Sequence, residues 1–554
     1  MKTDRILKWW KKEDRYLTWL KAVLMACLPV VCCVVYCAAR GESIGRVYLP
    51  ASGMNDELFY FKQTESILRY GYPQGYFGFN ESHALKLSFA AWSPFLALPW
   101  VVWGTLFGWN LLSPVYCHIF LMALALFLFV LLAKPGWKQT GILALLYALY
   151  TPFSWYMLSG MPEINCISIL IVFYGLAAAW FRKERKALLA AMFVLAGLLT
   201  LMRPYLLLFL VLPAFLWSFP MEEASGEGQG KAKKGIRVSW LGVLGSGLVI
   251  CGVLGCYALV NHFLAAEYFE PLFYMDWLTD FFEKGFLGGL RSFFGELYYS
   301  GVEFWQYMRQ GMMSGFAAGA IFCCYMGMFL VIACQTLKDF WHLRRQKSGG
   351  PDRKAYGQLV IEGHLTFAFF GMLMAQLLMY NFYDGCKHLL TFLAAGIFVI
   401  SLMRTAYYKK AVMTGLLLAY FLTYNTGGFR DYQPSFRNET VAGNMETWEE
   451  AVERELILSG EKTPNYDNVV IWVFSDRLPE GVVSTGWQYL YALPAGFGIS
   501  CCTSEYVLEH FDTLQSRYLC VVPGGEVEAD CIRKGYRKIS ENEFAVLYEC
   551  RENR

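Results

Sequence analysis

The sequence is poor in the signals of a soluble enzyme. Charged side chains make up 17% of its 554 residues, against 56% apolar ones, well below the charged share of an ordinary globular chain. There is no Gly-x-x-x-x-Gly-Lys-[Ser/Thr] loop and no His-Glu-x-x-His, so a backbone phosphate cradle and a two-histidine zinc helix both lack a local basis. Metal-ligand spacing is missing altogether. Five of the 17 cysteines lie beyond residue 500 (Cys501, Cys502, Cys520, Cys531 and Cys550). An odd number without a Cys-x-x-Cys pair gives neither a zinc site nor an assigned disulfide set. Most other cysteines fall in apolar runs, where a thiol behaves as a small hydrophobe. No internal repeat is visible. A cleavable signal peptide is not expected, because the first apolar run follows a charged and aromatic stretch without a small-residue cleavage site.

Long apolar runs dominate instead. Several approach the 20 or so residues needed to cross roughly 30 Å of hydrocarbon, so the chain reads as a polytopic α-helical membrane protein. About eleven spans are expected. Nine lie near residues 20–38, 113–133, 140–158, 161–181, 239–260, 312–336, 358–380, 389–403 and 411–424. The other two come from the run Ala187–Trp217, which Arg203-Pro204 divides. The apolar stretch Phe89–Trp109 is broken by Pro94, Pro99 and Gly104. It is expected to be re-entrant or juxtamembrane, because prolines free backbone groups that need protein or water partners.

Charge placement tests this topology. With the N-terminus cytoplasmic, the inside segments hold 26 Lys and Arg, and the outside loops before residue 425 hold 10. Counting Phe89–Trp109 as a span would invert every later loop and put Arg182–Lys186 outside. No inside segment carries the Asp-x-Asp-like pair that a nucleotide-sugar enzyme would favour. The odd number of spans leaves residues 425–554 extracytoplasmic, beyond a transmembrane domain of residues 1–424. From Asn425 the composition is that of a soluble domain. Helices are expected at Met445–Leu458, Glu505–Leu514 and Glu526–Lys534, and strands at Val469–Phe474, Arg517–Val522 and Glu543–Tyr548. Together they make a small C-terminal α/β domain behind a helical linker, expected to engage an acceptor or a partner protein.

Sorted by side, the unusual polar residues gather on the outer face. Asp56 and Glu57 follow the first span and lead an aromatic-rich segment that runs to Lys86. Glu163 sits in the turn Ser159–Asn165, Arg203 in the turn of the divided run, and Asp384, Lys387 and His388 in Tyr383–Leu389. Ionisable groups so close to hydrocarbon are costly and mark functional cavities. Cations there can hold a phosphate and stabilise its charge as a bond breaks, Arg with a fork that fits phosphate oxygens. A carboxylate can take the proton of an acceptor hydroxyl. Each residue also has a plainer reading. Asp56, Glu57 and Glu163 suit helix N-termini, Arg203 can snorkel to the interface, and Lys387 and His388 suit an ordinary turn. Interfacial belts account for much of the aromatic content.

Taken together, several features resemble the C-type (GT-C) integral-membrane glycosyltransferases. They are the long first outer loop with Asp56-Glu57, the Pro-broken piece ending Leu106-Phe107-Gly108, the Glu163 hairpin, Leu201-Met-Arg-Pro204 and the Lys387-His388 turn. The pattern is closest to the aminoarabinose-transferase-like and protein O-mannosyltransferase-like branches and covers roughly residues 15–424. The resemblance implies a polyprenyl-phosphate-linked sugar donor and, for most of the family, inversion at the sugar carbon. It implies that Asp56 is the first-loop catalytic carboxylate, with Glu57 beside it. Glu163 matches a second acidic position where the family more often has Asp. Lys86 matches the loop lysine by the phosphate, and Arg203 the cation after the fifth span. Lys387-His388-Leu389 stands where relatives commonly show Arg-Tyr-Leu, and Asp384 precedes it. No cofactor is assigned; a divalent metal serves some relatives.

The expected activity is therefore sugar transfer from the polyprenyl-phosphate carrier to a glycan, lipid or protein acceptor at the outer face of the cell membrane. Membrane lipids surround the site, and nucleic acid has no part. Two other classes are a transporter or flippase of lipid-linked sugars and a surface-polysaccharide ligase or polymerase. The first would place charges near mid-membrane and the second would use Arg/His-rich outer loops. Here the charges cluster at one face, in acidic and aromatic loops.

Overall fold

The computed structural model describes residues 2–51, 56–74, 77–81, 93–150, 152–222, 235–236, 238–264, 276–311, 353–379, 434–459 and 466–550, with a few positions between 330 and 342 and residue 402. The expected span at 411–424 and most of those at 312–336 and 389–403 lie outside the described residues. So do the site candidates Lys86, Asp384, Lys387 and His388.

Before residue 380 the helices among the described residues are α1 (Lys2–Ala38), α2 (Asp56–Tyr70), α3 (Pro94–Phe107), α4 (Ser113–Ala133), α5 (Trp137–Leu149), α6 (Pro152–Met157), α7 (Glu163–Lys183), α8 (Lys186–Met202), α9 (Val211–Ser218), α10 (Trp240–Leu264), α11 (Asp276–Glu283), α12 (Gly285–Gly311) and α13 (Arg353–Met379), with further helical positions between 330 and 342. Four are long and apolar enough to cross a membrane: Arg15–Ala38 within α1, α4, α7, and Trp240–Val260 within α10. They coincide with four of the expected spans. α4 packs between α1 and α7.

The expected span at 140–158 is instead two helices, α5 and α6. Pro152 has no N–H to continue α5 and opens α6 instead, at a helix start where the missing donor costs nothing. At Arg203-Pro204 the chain breaks as expected. α8 ends at Met202, Arg203 is extended (φ −140°, ψ 110°), and Pro204 opens a 3₁₀ segment, Pro204–Leu210, that runs into α9. α3 has 14 residues, about 21 Å at the helical rise, too short for roughly 30 Å of hydrocarbon. Pro94 stands at its start, where a missing N–H costs nothing. α3 packs on α2 at Gly104, where a Cβ would come within 2.6 Å of Leu68 Cδ1.

The C-terminal region opens with α14 (Glu439–Glu455). Asn438 caps it, accepting from the amides of Thr440 and Val441. The main sheet has six strands in the order β1-β7-β4-β8-β10-β9. β1 is Gly78–Phe79; after a small pair, β2 (Met221–Glu222) and β3 (Gly235–Ile236), come β4 (Val469–Val473), the hairpin β5 (Ser475–Leu478) and β6 (Gly481–Ser484), β7 (Gly498–Cys502), β8 (Tyr518–Val521), β9 (Arg537–Glu541) and β10 (Val546–Glu549). Strands β1, β7, β4 and β8 run parallel, and β10 and β9 add antiparallel pairs.

The edge strand β1 belongs to the first loop, with Gly78 opposite Ser500 and Phe79 opposite Cys501. The sheet is therefore not made from residues 425–554 alone. α14 is no bare linker either: Trp448 is buried and packs on Tyr489 with ring centroids 5.5 Å apart.

β4 is buried along its whole length because both faces are covered, as parallel strands require. Val470 and Trp472 join a core that runs on to Leu58 and Phe61 of α2 and Trp100 of α3. Ile471 and Val473 face the other way, onto α15 (Ser504–His510) and α16 (Glu526–Arg533) through Val507, Val527 and Cys531. Asp476, buried, accepts from the amide of Val527 (2.9 Å) and so fills the N-terminus of α16.

All five C-terminal cysteines are free thiols. Burial pushes Cys502, Cys520 and Cys531 each up to about 12. A raised acid stays protonated in the folded chain and ionises on unfolding. Labelling of these three by a charged maleimide at pH 8 is expected to be on the order of 10³-fold slower in the folded protein than in denaturant. The folded-state rate should climb as the pH approaches 12. Peptide mass spectrometry of the labelled chain reads both.

Candidate functional site

Two helix ends meet at the centre of the site. α7 and α8 form a hairpin, so the N-terminus of α7 and the C-terminus of α8 lie at the same end. Glu163 is the first residue of α7 and Arg203 the residue after α8. Helix dipoles favour an acid at the first position and a cation at the second. The two side chains form an ion pair that is 1% and 2% exposed. Arg203 Nη2 donates to Glu163 Oε1 and, at 2.9 Å, to the hydroxyl of Tyr60 on α2. The guanidinium carbon lies 6.0 Å from the Tyr60 ring centre. A pair buried this deeply stands because each charge has the other, and Arg203 has the neutral Tyr60 hydroxyl as well.

α2 brings the other acids. Asp56 and Glu57 occupy its first turn, again where the dipole favours them. Glu57 and Tyr60 are three residues apart and share one face. Glu57 is buried, whereas Asp56 is partly exposed. A Cβ at Gly160 would come 3.0 Å from Glu57 Cβ and 3.2 Å from its Oε2. The turn Ser159-Gly160-Met161, just before Glu163, thus closes on Glu57 because it carries no side chain there. Asp56 lies near the C-terminal sheet: burial first, then the neighbouring Cys502 and Asp56, hold the Cys501 thiol well above its usual range. Glu57 has a neighbour there as well, since burial, then Glu57 and Glu65, raise the Tyr491 hydroxyl well above its usual range.

α3 is pinned beneath this arrangement. Ser93 Oγ donates to the carbonyl of Leu201 (2.7 Å), and Asn165 Nδ2 donates to that of Leu96 (3.0 Å). Trp100 Nε1 donates to His118 Nε2 (2.9 Å), which makes His118 a packing residue.

Of the sequence candidates, Glu57, Glu163 and Arg203 therefore gather where α2 meets the hairpin of α7 and α8, with Asp56 beside Glu57 in the first turn of α2 and near the C-terminal sheet. Tyr60, Gly160 and Tyr491 join them without having been singled out. The one available hint was that Tyr60 follows Glu57 by a helical spacing of three. Gly41-Glu-Ser-Ile-Gly45 has the spacing of a nucleophile elbow. It runs from the end of α1 into a 3₁₀ turn with Ser43 exposed, not through the strand-turn-helix that an elbow needs. Among the described residues, no three His, Cys, Asp or Glu side chains are grouped to hold a metal ion.

The chain is similar in structure to ArnT from Cupriavidus metallidurans. The TM-score is 0.41 with the form bound to undecaprenyl phosphate and 0.39 with the apo form. Each match has 12% identity and covers 95% of this chain and 97% of that one. No protein-family model and no curated protein matches the sequence. A likeness at this level carries no weight for the chemistry, which has to come from the residues themselves.

Removing one member of the buried pair strands the other charge. Arg203→Ala is expected to destabilise the protein by about 3–5 kcal/mol, and the apolar double replacement Arg203→Met/Glu163→Leu by clearly less. Thermal unfolding of the purified variants distinguishes the two.

Proposed function

We propose that the protein is a membrane glycosyltransferase that moves a sugar from a polyprenyl-phosphate carrier to an acceptor on the extracytoplasmic face. The observation that carries this reading is the buried Arg203–Glu163 pair, at the end of an apolar span, under the acidic first turn of α2. A guanidinium at that depth suits a phosphate whose lipid tail stays in the bilayer. The acids above it suit an acceptor hydroxyl that has to lose its proton.

The roles divide by accessibility. Asp56, partly exposed, is the general base. Glu57 is held under the Gly160 turn and fixes the approach of α2 to the hairpin. Glu163 is committed to Arg203 and orients it, so its part is to place the cation rather than to take the proton. Arg203, with Lys86, Lys387, His388 and Asp384 from the other outer segments, binds the donor phosphate and sugar. As the bond from sugar to phosphate oxygen breaks, Arg203, Lys86, Lys387 and His388 stabilise the phosphate's growing charge, while Asp56 takes the proton of the attacking hydroxyl.

The C-terminal sheet is a poorer place for the donor. In open α/β sheets a ligand sits beyond the carboxyl ends of the strands, where the strand order reverses. Here that place, between β4 and β8, is filled by the protein's own carboxylates: Asp476 takes the Val527 amide and Glu528 the Gly524 amide.

The test is transfer by the purified full chain from synthetic polyprenyl-phosphate sugars. Asp56→Asn is expected to lower kcat by about 10²–10⁴-fold, the usual worth of a general base. Equal turnover by Asp56→Asn and wild type removes Asp56 from that role. Absence of transfer from every monophosphate donor tried overturns the glycosyltransferase reading and favours the ligase or the transporter.

A further inference from the structure

The first outer loop is fastened to the C-terminal region at three places. Near the loop's start, the Tyr48 amide donates to the Ser435 carbonyl (3.0 Å) and the Arg437 amide to that of Arg46 (2.8 Å). Within α2, Lys62 Nζ donates to the Leu493 carbonyl (2.6 Å) and to Glu65 (2.6 Å). Farther on, β1 pairs with β7, and the Glu81 carboxylate accepts from the Ser516 amide (2.6 Å), the Ser516 hydroxyl (2.6 Å) and the Gln515 amide (3.0 Å).

Lys62 is 1% exposed and Glu81 6%. A charge taken out of water needs its bonds made in full, and both residues draw bonds from the C-terminal main chain. That is a permanent junction, unlike the wet, polar contact of a domain that comes and goes. Lys62 lies on α2, six residues after Asp56. A helix is stiff over that distance, so the Leu493 carbonyl fixes where the first turn of α2 sits. The C-terminal residues that face this turn, Tyr491 and Cys501, lie on the same wall.

We propose that Lys62 is a positioning residue. By anchoring α2 to Leu493 it sets Asp56 and Glu57 against the Glu163–Arg203 pair, and the C-terminal domain is the fixed outer wall of the site rather than a separate acceptor-binding module. The activity part of this rests on the glycosyltransferase reading; the anchoring part does not.

The test uses the full chain in lipid nanodiscs and the variants Lys62→Met, Lys62→Arg and Glu81→Gln. Hydrogen exchange of the α2 amides reads the anchor directly. Lys62→Met and Glu81→Gln are expected to speed it about tenfold through easier local opening, and Lys62→Arg to keep it near wild type. With a polyprenyl-phosphate sugar, kcat of Lys62→Met should fall by about 10–100-fold, since small misplacements of catalytic groups cost that much. KM for the donor should stay within about twofold, because the phosphate-binding side is untouched. Unchanged α2 exchange in both Lys62→Met and Glu81→Gln overturns the proposal. Faster exchange with wild-type kcat reduces Lys62 to a structural tie and overturns its positioning role. If Lys62→Met does not fold, Glu81→Gln and Lys62→Arg decide by the same two measurements. Faster exchange alongside no transfer by the wild type would sink the glycosyltransferase reading while leaving the anchor standing.

Discussion

A guanidinium and a carboxylate buried together, Arg203 with Glu163, constrain everything near them. Neither charge is tolerable alone at that depth, so the hairpin of α7 and α8 has to close with its ends level. The helix dipoles work in the same direction, with acid at the start of α7 and cation at the end of α8. Arg203 then reaches a third element through the Tyr60 hydroxyl, which ties the face of α2 to the hairpin. The Pro204 that follows Arg203 stops α8 at this point and keeps the guanidinium at the helix end. Moved one turn either way, Arg203 would lose the dipole, Glu163 or Tyr60.

The same pair limits the chemistry. Its carboxylate is engaged, so proton transfer has to be sought on α2. In the proposed reaction its guanidinium would meet the donor phosphate as part of a pair, which lowers the net field a ligand feels. Phosphate binding at such a place needs additional cations. Under the proposed function, Lys86, Lys387 and His388 are the sequence's candidates for them.

How far the sequence revealed this depended on how unusual each residue was in its surroundings. Asp56, Glu57, Glu163 and Arg203 stood out because charges at the ends of apolar runs are rare, and rarity there has a physical cost behind it. Tyr60 and Gly160 had no such contrast; an aromatic in an aromatic segment and a glycine in a turn are unremarked. Lys62 and Glu81 had nothing in the sequence to set them apart from the other polar residues of their segment, and only the fold buries them. Strand β1 is two residues long and has no pattern to read. β7 includes Ser500-Cys-Cys502, which carries little strand preference and becomes a strand because β1 and β4 flank it. The division of 140–158 was readable at Pro152, but mean apolarity outweighed it.

The weave of loop and sheet bears on how the two parts came to work together. A module that only presented an acceptor would need few bonds to the spans and would fold around its own edges. This sheet leaves its edge to be supplied by β1, and it spends the amides of Gln515 and Ser516 on a loop carboxylate. An exposed parallel edge at β7 would otherwise invite pairing with other chains. Closing that edge with the loop places Phe79 and Glu81 on one side of the junction and the acids of α2 a short way back along the same chain. The loop is thus held at Arg46–Tyr48, at Lys62 and at Gly78–Glu81, on both sides of the first turn of α2, and α2 has little freedom left to choose its position. For groups that must stay within a fraction of an ångström of a reacting centre, removing that freedom beforehand is worth more than any single added contact.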